Sequence, residues 1–143
     1  GRGAFKLVKR IKNSEIWQDT HSGIFISAVL NVLPSQYEAT KLCTDSPLEA
    51  RGYLTEISWR LPSGYPKELN GQYGFPMEDS DHFMLEANGF REVVPNIKDK
   101  LFWTSSPFPF ETGVSYVFSG NDDAVNLGHN RIQGYFSVIC VGR

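Results

Sequence analysis

The sequence predicts an α+β domain in which helices lead and a small antiparallel sheet closes the fold. Three observations predict it. Residues 24 to 33, IFISAVLNVL, form an almost continuous apolar run that stops at Pro34 and is followed by a helix-start signal. From residue 101 onward, the segments LFWTSS, VSYVFSG and IQGYFSVICVG are separated by turns rich in Pro, Gly, Asn and Asp. At 143 residues the chain has the size of one domain, without an internal repeat or a linker to divide it.

Taken in order, the elements follow from local chemistry. The N-terminal KLVKRIK crowds Lys6, Lys9, Arg10 and Lys12 together and reads as a solvated strand or linker edge. The run 24–33 is enriched in Ile, Phe and Val and reads as a buried strand. Ser35 stands three residues before Glu38, an S-x-x-E capping box, so YEATKLC is expected to be the first helix. Ala39 and Cys43 then share a face one turn apart, which points the Cys43 sulfur into the core. YLTEISWRLP alternates and stops at Pro62, as a strand or extended arm does. SGYPKELNG places Pro66 and Gly71 where a short helix begins and ends, and DSDHFMLEANG predicts another helix that ends at Gly89. In the closing strand, Tyr135, Ser137, Ile139 and Val141 share one face, and Phe136, Val138 and Cys140 share the other.

Charge and cysteine usage narrow the function. With 14 Lys and Arg against 16 Asp and Glu, the chain has no excess positive field to draw nucleic acid. No stretch approaches the roughly 20 apolar residues that span a bilayer, and no signal-peptide core is visible. The two cysteines, Cys43 and Cys140, sit in no CxxC and beside no histidine at metal-ligand spacing. Left as thiols they are buried hydrophobes of an intracellular protein. Paired, they would close a loop of about 100 residues worth roughly 4–5 kcal/mol and imply an oxidising compartment.

A strand, YEATKLC as the first helix, WRLP before a short second helix, FWTSS opening a hairpin-rich half and GYFSVICV as the closing strand resemble, in that order, the C-type-lectin-like fold. WRLP, WTSS and SVICV are most similar to the C-terminal tip domain of intimin- and invasin-type bacterial outer-membrane adhesins. The resemblance covers residues 24–143. Residues 1–23 lie outside it, as the last strand of a preceding immunoglobulin-like domain or an extra edge strand, and Trp17 is expected to pack against an upstream domain. The resemblance implies two short helices, a small twisted antiparallel sheet, adjacent termini and a Cys43–Cys140 disulfide. It also implies an extracellular, monomeric receptor-binding domain on a bacterial surface, joined to the membrane only through an upstream anchor. Its partner would be a host surface or secreted protein: an integrin-like receptor, a bacterial receptor or an immunoglobulin.

Other chemistries are weighed against that one. Calcium-dependent glycan binding needs several converging oxygen ligands, yet the family's Glu-Pro-Asn or Gln-Pro-Asp loop is absent and its Trp-Asn-Asp counterpart survives only as GNDD. A lectin nevertheless stands as the first alternative. The second is an enzyme-like secreted domain of the formylglycine-generating branch, although His21, His82 and His129 occur singly and no nucleophile motif is present. No metal or cofactor is expected. Protein recognition remains, and interfaces favour aromatic side chains, of which this chain has three Trp, six Tyr and ten Phe. Phe108 and Phe110 in SSPFPFETG are the leading candidates, because the flanking prolines stiffen their loop. Trp103 is expected in the core or on a sheet face. SGNDDAVNLGHNR is read as a second, polar loop that presents Asn121, Asp122, Asp123, Asn126, His129, Asn130 and Arg131. Asp45, just after the helix cysteine, matches a region that invasin-like adhesins use for receptor contact.

Overall fold

The computed structural model describes residues 5–11, 14–45, 54, 56–66, 80–129 and 135–143. Among these the chain forms two five-stranded sheets and two α-helices, so the α+β class holds. The first sheet orders its strands β1 (Phe5–Ile11), β2 (Ser14–Asp19), β3 (Phe25–Ser27), β10 (Val141–Gly142) and β5 (Trp59–Arg60). The second orders β4 (Val32–Leu33), β9 (Phe136–Ser137), β6 (Leu101–Pro107), β7 (Val114–Ser119) and β8 (Val125–His129). All neighbours are antiparallel except β6 and β9, which run parallel.

Two sheets in place of the expected one follow from what the apolar run 24–33 does. It is not a single strand, because it leaves the first sheet after Ser27 and enters the second at Val32. The closing segment makes the same crossing in the opposite direction, from β9 to β10. At the crossing the Ser27 N–H donates to the Cys140 carbonyl at 2.9 Å and the Leu30 N–H to the Val138 carbonyl at 2.7 Å. The Cys140 N–H has no carbonyl opposite and donates to the Ser27 hydroxyl at 2.8 Å, which in turn donates to the Ala28 carbonyl. A buried hydroxyl thus satisfies the backbone where the ladder is interrupted.

Because the two arms are covered on both faces, both are apolar on both faces. In the closing arm, Val138 and Cys140 enter one core cluster with Leu42, Trp59 and Trp103, whereas Ile139 and Val141 enter a second with Ile26, Phe90 and Phe118. This is the alternation expected of it. Phe5 lies opposite Asp19, Gln18 opposite Phe25, and Phe25 opposite Gly142. The first and last described strands therefore begin and end at the same level of one sheet, about 14 Å apart at the usual strand spacing.

The first helix, α1 (Gln36–Thr44), starts as its capping signal requires: the Ser35 hydroxyl accepts the Glu38 N–H at 3.2 Å. Its buried face is Ala39, Leu42 and Cys43. Cys43 is bonded to Cys140 with Cα atoms 5.6 Å apart, joining the helix to the closing arm at the sheet crossing. The second helix, α2 (Asp81–Ala87), is capped by Ser80 and followed, where its end is expected, by Gly89 in the left-handed region at φ 80. The helix anticipated at SGYPKELNG falls mostly on residues 67–71, outside the described residues; Ser63 to Pro66 are non-helical.

Two further expectations, on Trp17 and on the polar loop, are corrected. Trp17 is 5% exposed and belongs to the second core cluster, so its side chain is already buried within this fold. Residues 5–11 and 14–19 form the paired strands β1 and β2, with β2 pairing with β3 and β1 at the edge of the sheet, which agrees with the extra edge strand, one of the two readings for residues 1–23. Five residues of SGNDDAVNLGHNR are a strand: Val125–His129 pairs along β7 from Phe118 to Val114. No apolar alternation marks it because the wholly buried β7 supplies its order, while Asn126 and Leu127 stand exposed at the sheet edge.

Candidate functional site

The segment 101–110 divides near Ser106. Phe102 and Trp103 have no exposure, and the Trp103 indole N–H donates to the Leu33 carbonyl at 2.9 Å, tying β6 to β4 across β9. Ser106 is still buried, whereas Phe110 is 62% exposed. Between them the hairpin closes with the Phe108 N–H donating to the Val114 carbonyl at 2.9 Å, and Gly113 takes φ 83 in the turn.

The three rings at this tip form a stack of edges. Phe108 is half-buried and meets Tyr116 edge-on at 5.7 Å and Phe110 edge-on at 5.4 Å. Tyr116 is buried, and burial raises the pKa of its phenol. The exposed ring is therefore held against a second ring that is held against a third, each pair in the arrangement that aromatic quadrupoles favour. That support orients Phe110 on a loop already restricted by Pro107 and Pro109.

The polar loop lies elsewhere. Asn121, Asp122 and Asp123 follow the far end of β7, and six strand residues put them roughly 20 Å from the aromatic tip. Asn121 Oδ1 accepts the Asp99 N–H, and Asp122 Oδ1 accepts the Ala124 N–H, both at 2.9 Å. Asp123 is exposed. Asn126 projects from the middle of β8, and the His129 backbone pairs with Val114, next to the aromatic tip. Asn130 and Arg131 lie outside the described residues. Asp45 belongs to neither loop. It caps the C-terminus of α1, donating its N–H to the Lys41 carbonyl at 2.9 Å and accepting the Thr44 hydroxyl at 3.3 Å. The structure thus joins Phe108, Phe110 and the backbone of His129, and separates them from Asn121, Asp122, Asp123 and Asp45.

The strongest electrostatic features are frameworks for the loops. Asp19 is fully buried; burial pushes its pKa up, but donors from the Ser22 hydroxyl, the His21 N–H, the Asn88 amide and the Ser22 N–H outweigh that and hold it below the ordinary 3.8. The Asn88 amide reaches it at 2.7 Å, linking the end of α2 to the β2–β3 turn. Arg60 and Asp81 form a two-pronged ion pair, with the hydrogen bond to Asp81 raising the Arg60 pKa. His82 is 1% exposed, stacked on Phe118 at 4.8 Å, with Nε2 3.2 Å from Glu86 and Nδ1 without a hydrogen-bond partner among the described residues. Among the described residues no group of three or more His, Cys, Asp or Glu is arranged to hold a metal ion, and no helix is long and apolar enough to cross a membrane.

Residue patterns alone passed over Lys98 and Lys100, which share a groove with Arg91. The visible signal was the Pro95-Asn96 turn followed by two lysines that bracket an aspartate, a pattern shared by many solvent loops. No family model, curated protein or solved structure matches this chain.

Proposed function

We propose that this chain is a recognition domain of an extracellular bacterial adhesin, of the C-type-lectin-like kind, which binds a host protein non-covalently through the β6–β7 hairpin tip. The observation that carries the reading is Phe110: a large apolar side chain, mostly exposed, braced by Phe108 and Tyr116 on a proline-stiffened turn. Exposed aromatics that are already ordered lose little entropy on binding, which is what a binding anchor requires. The Cys43–Cys140 bond supports an oxidising compartment, and the resemblance to intimin- and invasin-type tip domains supports the bacterial surface.

The test is capture of host surface and secreted proteins on the immobilised domain, repeated with Phe108→Ala/Phe110→Ala and followed by titration of the captured protein. An anchoring pair should weaken binding on the order of thirtyfold, the 2 kcal/mol scale of an aromatic hot spot. Phe110→Ala alone should leave the melting temperature unchanged, since that ring lies on the surface. If both substitutions leave the captured partner bound as tightly as before, the hairpin is not the binding site.

A further inference from the structure

We propose that the groove on segment 91–100 is a second recognition surface, one that takes an acidic peptide segment of a protein partner. The groove has a volume of about 380 Å³ and is lined by Arg91, Val94, Asn96, Ile97, Lys98 and Lys100. Val94 and Ile97 line it and are buried members of the second core cluster, so the groove is rooted in the core. The walls are cationic. Arg91 is already engaged by the Glu86 carboxylate and by the carbonyls of Ser119 and Asp122. Lys98 and Lys100 are not engaged: among the described residues, no hydrogen bond or ion pair occupies either ammonium.

Both lysines line the groove because the residue between them turns the chain. Asp99 adopts φ 61 and Asn96 φ 63, left-handed conformations that non-glycine residues hold only where their surroundings impose them. The surroundings here are the β7–β8 loop. Asn121 Oδ1 takes the Asp99 N–H at 2.9 Å, and the Gly120 N–H donates to the Lys100 carbonyl at 2.8 Å. The backbone that carries both lysines is thus set before any ligand arrives, although their side chains are still ordered on binding.

The class of ligand follows from what flanks the lysines. The chain as a whole carries a net charge of −2, and Glu92, Asp99, Asp122 and Asp123 belong to the same two loops. A continuous polyanion would meet those carboxylates, whereas one or two acidic side chains can reach the lysines without doing so. Val94 and Ile97 in the lining offer an aliphatic side chain a small apolar contact.

The test uses a capped Glu-Leu-Glu peptide and its neutral counterpart Gln-Leu-Gln, titrated into the isotope-labelled domain and followed by amide shifts. Saturable shifts are expected at residues 94–100, with the neutral peptide about tenfold weaker. Lys98→Gln should weaken the acidic peptide about threefold and Lys98→Gln/Lys100→Gln about tenfold, the range for exposed charge pairs. Lys98 is exposed and Lys100 half-buried, and unchanged spectral dispersion checks that the variants fold. The proposal is overturned if the neutral peptide binds equally, if shifts fall outside 94–100, if the variants bind as the parent does, or if a heparin disaccharide outcompetes the peptide. Phe110→Ala should leave this titration unchanged, so the groove and the hairpin stand or fall separately.

Discussion

Gly120 is where two loops touch, and replacing it with alanine tests whether that contact holds the groove and this end of the second sheet together. A Cβ added to Gly120 would lie 1.8 Å from the Ile97 carbonyl oxygen, 2.8 Å from its carbon and 3.2 Å from Phe102 Cε2. A carbon and a carbonyl oxygen approach to about 3.3 Å at closest, so the backbones must part by roughly 1.5 Å. That separation breaks the Gly120–Lys100 and Asp99–Asn121 hydrogen bonds, each worth about 1 kcal/mol net, and loosens Ile97 and Phe102 in the second cluster. The expected loss is about 3 kcal/mol, which for a domain of this size lowers the melting temperature by roughly 10 °C. Calorimetry and urea unfolding of Gly120→Ala measure it. Gly23→Ala is the control: Gly23 has φ 80 but nothing within 4 Å of an added methyl, so only conformational strain of about 1 kcal/mol is expected. If Gly120→Ala melts within about 2 °C of the parent, the two loops are not in the contact described here and the preset geometry of the lysines fails with it.

Two further outcomes are expected. The Cys43–Cys140 bond closes a loop with a sequence separation of 97, so Cys43→Ala/Cys140→Ala should lose about 4–5 kcal/mol by urea unfolding, and a loss below about 1 kcal/mol would show that the bond constrains little. The Asp19 carboxyl has a folded pKa below its unfolded value, so its contribution is present above the unfolded pKa and is lost as pH falls through the folded one. The parent should therefore lose more stability between neutral pH and pH values below about 4 than Asp19→Asn does; equal acid sensitivity would remove Asp19 as the source.

The readable parts of this fold were those in which one residue type has one physical use. Ser35 before Glu38 announced α1, the period-two pattern of the closing segment separated the two core clusters, and Trp103 in a β-rich segment proved fully buried. The missed parts depend on partners distant in sequence. Nothing local to IFISAVLNVL says that Ser27 ends one sheet, since its hydroxyl matters only because Cys140 arrives opposite it. Likewise VNLGH is a strand because β7 is beside it, and the groove needs Gly120 to be small beneath Ile97. Of the candidate site, the aromatic tip was legible from its prolines and rings. Its distance from Asn121, Asp122 and Asp123 was not, because that distance is a property of strand pairing.

The closing arm has a consequence for when this protein can fold. β10 is flanked on both sides in the first sheet and β9 on both sides in the second, so the segment 136–142 supplies an inner strand to each. Until those residues emerge, β3 and β5 have no strand between them, β4 is cut off from β6, and Cys43 has no sulfur to meet. A chain made or exported from its N-terminus can form α1 and the β6–β7 hairpin on the way, since both are local. It cannot complete either sheet. Completion of both sheets therefore waits for residues 136–142, however much of the rest has already formed.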